Sequence, residues 1–186
     1  MRIAFVGPKS AGKTTSASLV SDVVGGAKIL SFATPLKLEV YNLFQDIFDY
    51  FVYRQPAKSD EEKVQRVNNL KEQFLRKALQ DVGTYRRNED RNYWINQMAM
   101  KLKLCEGNVI VDDCRYINEA ELLKAQGFTL IKIQPPVGNI DGNGSHSSEQ
   151  EWQFIECDYL VVNRKENLGS LKNDLLAILG KVAFEG

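Results

Sequence analysis

An α/β fold is predicted: a five-stranded parallel sheet flanked by helices, with a helical insertion after the second strand and a short lid after the fourth. Three observations predict it. Short apolar runs alternate with stretches of helical periodicity over much of the chain, a pattern that parallel strands joined by crossover helices produce. A glycine-rich turn separates the first strand from the first helix. The 186 residues are 44% hydrophobic and 26% charged, enough apolar material for a core and too much for wholesale disorder.

The elements follow in order. Arg2–Val6 is a β-prone run ending at Gly7, and a helix runs from about Lys13 to Val24, stopped by Gly25-Gly26. Lys28–Phe32 is the second strand, closed by Ala33-Thr34-Pro35. Leu36, Val40, Leu43, Phe44, Ile47, Phe48 and Phe51 then recur at intervals of three and four, predicting an amphipathic helix to about Tyr53. Pro56 interrupts it, and the mixed charges from Lys58 to Arg66 read as a solvated loop. Leu70 to Val82 reads as a helix ended by Gly83, and Asp90 to Leu104 as another, closed by Gly107. Asn108–Asp113 is the clearest strand. A helix from Asn118 to Gln126, a strand from Phe128 to Ile133 and a loop from Pro135 to Ser148 follow. A helix near Glu149 to Ile155, a strand over Tyr159–Val162 and a last helix from about Leu168 to Leu179 complete the chain. Residues 1–186 thus read as one domain: a core of 1–35 and 107–186, an insertion of 36–106, and a lid at about 135–151.

Composition excludes several classes. Lys+Arg and Asp+Glu both number 24, so the net charge is zero. A nucleic-acid coat or a membrane-surface binder needs a basic excess, and no apolar run approaches the ~20 residues of a membrane span. Three cysteines, Cys105, Cys114 and Cys157, lack metal-ligand spacing and read as reduced thiols of a cytoplasmic protein. Met1–Ser10 meets the glycine-rich turn too soon to build a secretory leader.

The chemistry begins at Gly7-Pro8-Lys9-Ser10-Ala11-Gly12-Lys13-Thr14, which fits G-x-x-x-x-G-K-[ST] between a strand and a helix. Glycines at these places let main-chain N–H groups of Ser10, Ala11 and Gly12 turn toward a β-phosphate, and the helix N-terminus adds its positive end. Lys13 would bridge β- and γ-phosphates, the Thr14 hydroxyl would ligate Mg²⁺, and Thr15 could reach the α-phosphate. The expected ligand is ATP with Mg²⁺. A carboxylate at the end of a neighbouring strand should help hold the metal, and strand alternation favours Asp113 with Asp112 as the alternative.

A GTPase would carry N-K-x-D after a late strand, but Asn163-Arg164-Lys165-Glu166 lacks the lysine and the aspartate at their positions. Asp141-Gly142-Asn143-Gly144 matches D-x-x-G only in a loop after the wrong strand. A small-molecule kinase fits better, with its acceptor bound by the insertion. Arg76, Gln80, Gly83-Thr84, Arg86-Arg87 and Trp94 cluster there. Guanidinium forks suit an acceptor phosphate, Gly83-Thr84 would form a tight turn, and Trp94 could stack on a base.

On these residues the chain resembles the bacteriophage-type deoxynucleoside monophosphate kinases, a branch of the P-loop kinase fold. The resemblance covers most of the chain. It runs through the phosphate loop with Lys9, Ser31-Phe32-Ala33-Thr34-Pro35-Leu36-Lys37, Arg76…Gln80…Gly83-Thr84…Arg87…Trp94, Asp113-Cys114-Arg115…Asn118-Glu119-Ala120, and His146-Ser147-Ser148-Glu149. The family usually has an acidic residue where Thr34 stands. The resemblance implies that Lys9, Phe32, Lys37, Arg76, Gly83, Thr84, Arg87 and Trp94 surround a deoxynucleotide, with Asp113 and Arg115 beside the transferred phosphoryl group. It implies a monomer or homodimer acting on a small molecule, in a host cytoplasm if phage-encoded. Pro135–Glu151 contains no Lys or Arg, so transition-state cations would come from Lys9, Lys13, Arg87 and Arg115. His146 could contact a phosphate, or could simply precede a helix capped by Ser148 and Glu151. A P-loop kinase for another phosphorylated metabolite, phosphomevalonate-like, and a nucleotide-dependent interaction module are the competing readings.

Overall fold

The structure is a computed structural model, which describes residues 1–135, 150–164 and 167–185. The lid residues 136–149, including His146, lie outside the described residues.

All five expected strands are present: β1 (Arg2–Val6), β2 (Lys28–Leu30), β3 (Val109–Cys114), β4 (Thr129–Gln134) and β5 (Tyr159–Val162). They form a parallel sheet in the order β2-β3-β1-β4-β5. β1 is central, and the winding reverses there; in open α/β sheets a crevice at such a switch point holds the ligand. Ile3, Ala4, Phe5 and Val6 are all buried, since β1 has neighbours on both edges and both faces covered. Phe5 alone, fully buried, contributes about 1.5–3 kcal/mol. Ile3, Phe5, Ile131 and Ile133 pack with Ala17 and Val20 of α1 (Lys13–Val23) and with Leu171, Leu175 and Ile178 of the C-terminal helix, Leu168–Glu185.

The chain forms two compact units, residues 1–31 with 99–186, and residues 32–98. The second is helical: α2 (Ala33–Leu43), α3 (Asp60–Leu70), α4 (Arg76–Glu89) and the start of α5 (Tyr93–Lys103). The helix predicted to reach Tyr53 is broken after Leu43, and a π-helical turn covers Ile47–Val52. A second π-helical turn, Lys71–Leu75, joins α3 to α4. Val40, Tyr41, Phe48, Val67, Leu75 and Leu79 form this unit's core.

Five local expectations need correction. Phe32 belongs to the start of α2 and not to β2. The mixed-charge stretch is helix α3 and not a solvated loop: the Ser59 Oγ accepts from the Glu62 N–H at 3.2 Å and caps it. Gly83 does not end a helix; it lies inside α4, where an added Cβ would meet Leu36 at 3.4 Å, an ordinary van der Waals contact. Gly180 likewise lies within the last helix, α7 (Leu168–Glu185), after α6 (Ile117–Ala125). Instead of a helix, a short 3₁₀ turn spans Glu151–Phe154.

Candidate active site

The loop between β1 and α1 occupies the carboxyl end of the central strand. Its glycines are required sterically. A Cβ on Gly7 would collide with the Ile133 carbonyl oxygen, and one on Gly12 with the Asn163 side-chain amide. Gly12 also has a φ of 100°, a left-handed conformation that costs little only for glycine. Lys13 is buried, and its Nζ donates to the carbonyls of Gly7 at 2.8 Å and Pro8 at 2.6 Å. Thr14 and Thr15 are exposed at the start of α1, and the Gly12 carbonyl accepts from the Ser16 N–H at 2.9 Å. Ser10 and Lys9 stand at the accessible rim of the loop.

The two aspartates of β3 take different partners. Thr14 Oγ1 donates to Asp112 Oδ2 at 2.9 Å, and Ser31 Oγ donates to Asp113. Strand alternation favours Asp113 to help hold a metal, yet the carboxylate that Thr14 meets is that of Asp112, for a local reason. Ala4 lies opposite Val111 and Val6 opposite Cys114, so β3 takes three steps where β1 takes two. This bulge sits at the aspartates and re-aims their side chains. A hydroxyl and a carboxylate oxygen make a donor set suited to Mg²⁺, a hard cation that usually keeps waters and phosphate oxygens as its other ligands. Among the described residues no group of three or more His, Cys, Asp or Glu could form a closed metal cage.

After Asp113, the buried Glu119 carboxylate accepts from the main-chain N–H groups of Arg115 at 2.8 Å and Tyr116 at 3.2 Å. This fixes the turn that carries Arg115. Burial pushes the Cys114 thiol well above its ordinary pKa, helped by Glu119 and Asp113, and burial pushes Cys157 up to about 11. Neither is a thiolate at neutral pH, so neither offers a nucleophile.

The helical unit brings a second group together. Gly83, Thr84 and Arg87 share α4, and Arg87 Nη1 donates to the Gly83 carbonyl at 3.4 Å. Trp94 donates to that same carbonyl from Nε1 at 3.3 Å. Its indole is only 3% exposed and meets Tyr93 edge-on, so it anchors α4 and presents no open face. The tight turn expected at Gly83-Thr84 is helical instead. Arg76 is exposed and pairs with Glu72 at 3.1 Å; Gln80 lies one turn further on, also exposed. Lys37 is part-exposed on α2, and Phe32 is buried at that helix's start. Arg86 is engaged by Glu39, its Nε donating at 2.6 Å.

Sequence reasoning passed over two polar groups. Asn163, noticed only for the guanine motif it fails to complete, donates from Nδ2 to the Ala11 carbonyl at 2.8 Å. Arg66, assigned to a solvated loop, is buried and donates from Nη1 to Asp49 at 2.9 Å and from Nη2 to Glu62 at 2.6 Å. The Ser59-x-x-Glu62 spacing was the available signal that Arg66 lies on a helix.

A five-stranded parallel sheet with this loop at its central strand is an α/β fold compatible with the P-loop kinases. The family model for deoxynucleotide monophosphate kinase matches residues 47–175, and the chain belongs to that family. A protein of Acanthamoeba polyphaga mimivirus named "Putative deoxynucleotide monophosphate kinase" is 30% identical over 173 residues, 88% of each chain. The family match begins well after the glycine-rich loop between β1 and α1. No helix among the described residues is long and apolar enough to cross a membrane.

Proposed function

We propose that the protein transfers the γ-phosphoryl group of ATP to a deoxynucleoside monophosphate, giving ADP and the deoxynucleoside diphosphate. The observation that carries this reading is the loop whose Gly7 and Gly12 cannot take a Cβ, beside a Thr14–Asp112 hydrogen bond, in a chain of this family. Main-chain N–H groups of Ser10, Ala11 and Gly12 would hold the β-phosphate, and Lys13 would exchange its two carbonyl partners for phosphate oxygens. Thr14 with Asp112 would hold Mg²⁺, with Asp113 beside the transferred group. A Mg²⁺ held there by Thr14 and Asp112 would supply charge neutralisation for the phosphates.

The acceptor needs no general base, because a phosphate with a second pKa near 6 is already mostly dianionic at pH 7. Catalysis is then in-line positioning of two anions with charge stabilisation by Lys9, Lys13, Arg87 and Arg115. Arg76, Gln80, Arg87 and Lys37 would take the acceptor phosphate and sugar, with Phe32, Gly83, Thr84 and Trp94 shaping its surroundings. Closing the site against water would prevent idle ATP hydrolysis.

A coupled ADP-release assay with matched dGMP/GMP and dTMP/UMP pairs, plus phosphomevalonate, tests this. Burying an unsatisfied 2′-hydroxyl costs roughly 1–3 kcal/mol, so deoxynucleotides should be favoured by about 5- to 150-fold in kcat/KM. Turnover of phosphomevalonate with none of the nucleotides would overturn the reading.

A further inference from the structure

We infer that Asn163 is a positioning residue for the phosphate loop: its side-chain amide sets the direction of the Gly12 N–H that takes the donor nucleotide's phosphate. The inference rests on the ATP-binding reading above and adds a residue outside the loop motif. Three contacts place Asn163. Its main-chain N–H donates to the Gln134 carbonyl at 2.8 Å, extending the β4–β5 pairing by one step. Its Nδ2 donates to the Ala11 carbonyl at 2.8 Å. The same Nδ2 fills the space where a Cβ on Gly12 would stand. The residue is 8% exposed, so this is a buried hydrogen bond between the sheet and the loop.

The consequence follows from the planar peptide. Every peptide bond among the described residues is trans, so the Ala11 carbonyl and the Gly12 N–H point in opposite directions from one plane. Fixing the carbonyl toward Asn163 turns the Gly12 N–H away from Asn163. Gly12, with a φ of 100°, has no side chain of its own to restrain this peptide plane. Without Asn163 this peptide could rotate, and its donor would no longer be preorganised. An unmade buried hydrogen bond has consequences of about 5- to 150-fold in an equilibrium.

The test compares wild type with Asn163→Ala, Asn163→Asp and Lys13→Ala by calorimetric MgATP and MgADP binding, acceptor KM and thermal melting. Asn163→Ala should weaken both nucleotides about 10- to 100-fold while leaving the acceptor KM within about twofold. Asn163→Asp keeps the shape but faces a carboxylate oxygen toward the Ala11 carbonyl, and should weaken binding further. If Asn163 only fills space, the isosteric aspartate variant binds as wild type does, and the inference falls. Wild-type affinity in Asn163→Ala alongside lost affinity in Lys13→Ala would overturn the Asn163 role and leave the ATP reading intact. A wild-type chain that binds no nucleotide overturns both. Should the variants not fold, NMR of the wild type decides. Slow exchange of the Asn163 amide protons and a large Gly12 N–H shift on adding MgADP support the role, and the absence of both sinks it.

Discussion

The unit that carries the glycine-rich loop and the helical unit give their buried charged and amide side chains different main partners. In the first, Lys13, Asn163 and Glu119 all reach main-chain groups, at Gly7 and Pro8, at Ala11, and at Arg115 and Tyr116. In the second, arginines meet carboxylates: Arg66 with Asp49 and Glu62, Arg76 with Glu72, Arg86 with Glu39. Side chains that hold backbone shape a loop whose N–H groups can do chemistry. Side chains paired with each other hold helices together, and an arginine's presence there says little about substrate. The helical unit also leaves Leu43, Tyr50 and Phe51 exposed, so its small apolar core leans more on the buried ion pair.

The largest break in that contrast should come from Arg66. Burial works against its cation, but Glu62 and Tyr41 more than compensate, and its pKa stands above the ordinary value. The guanidinium also lies 4.4 Å from the Tyr53 ring centroid. Arg66→Ala leaves Asp49 buried without its cation and should cost about 3–5 kcal/mol in urea titrations. Replacing Arg66 and Asp49 together by apolar residues should recover much of that loss. The folded fraction of either variant should bind ATP normally.

A smaller effect separates the two aspartates of the first unit. Asp112→Asn should reduce kcat at saturating ATP by more than tenfold and raise the Mg²⁺ concentration needed for half-maximal rate. Asp113→Asn should also slow turnover, with little change in that Mg²⁺ requirement, because Asp113 accepts from Ser31 and not from Thr14. Equal Mg²⁺ shifts in both would erase the distinction. The smallest change is Ser59→Ala, which removes the α3 cap and should cost about 1 kcal/mol in the same titration, with unchanged kinetics.

How much was readable follows the same division. The strands and the glycine-rich turn between β1 and α1 were legible because buried parallel strands are continuous apolar runs and the turn's glycines are fixed by contact, as Gly7 is by the Ile133 carbonyl. The choice between Asp112 and Asp113 was not, because the bulge in β3 appears only once Val6 is paired with Cys114. In the helical unit, Gly83 looks like a stop because glycine usually is one, yet inside α4 a Cβ there would meet Leu36 only at ordinary contact distance. Arg66 looked solvated because Asp49, the partner that buries it, lies 17 positions away on a π-helical turn.

The Lys13 contacts carry one more consequence. An ammonium already seated on the carbonyls of Gly7 and Pro8 does not wait for an anion; it must be won from two amide dipoles. If the loop takes up a nucleotide as proposed, uptake would be an exchange reaction with a threshold. A singly charged ion such as chloride or bicarbonate gains too little from one ammonium to displace both carbonyls, while a polyphosphate that also meets the loop's N–H groups gains enough. Such a loop would discriminate among anions by charge density before any base or sugar is consulted.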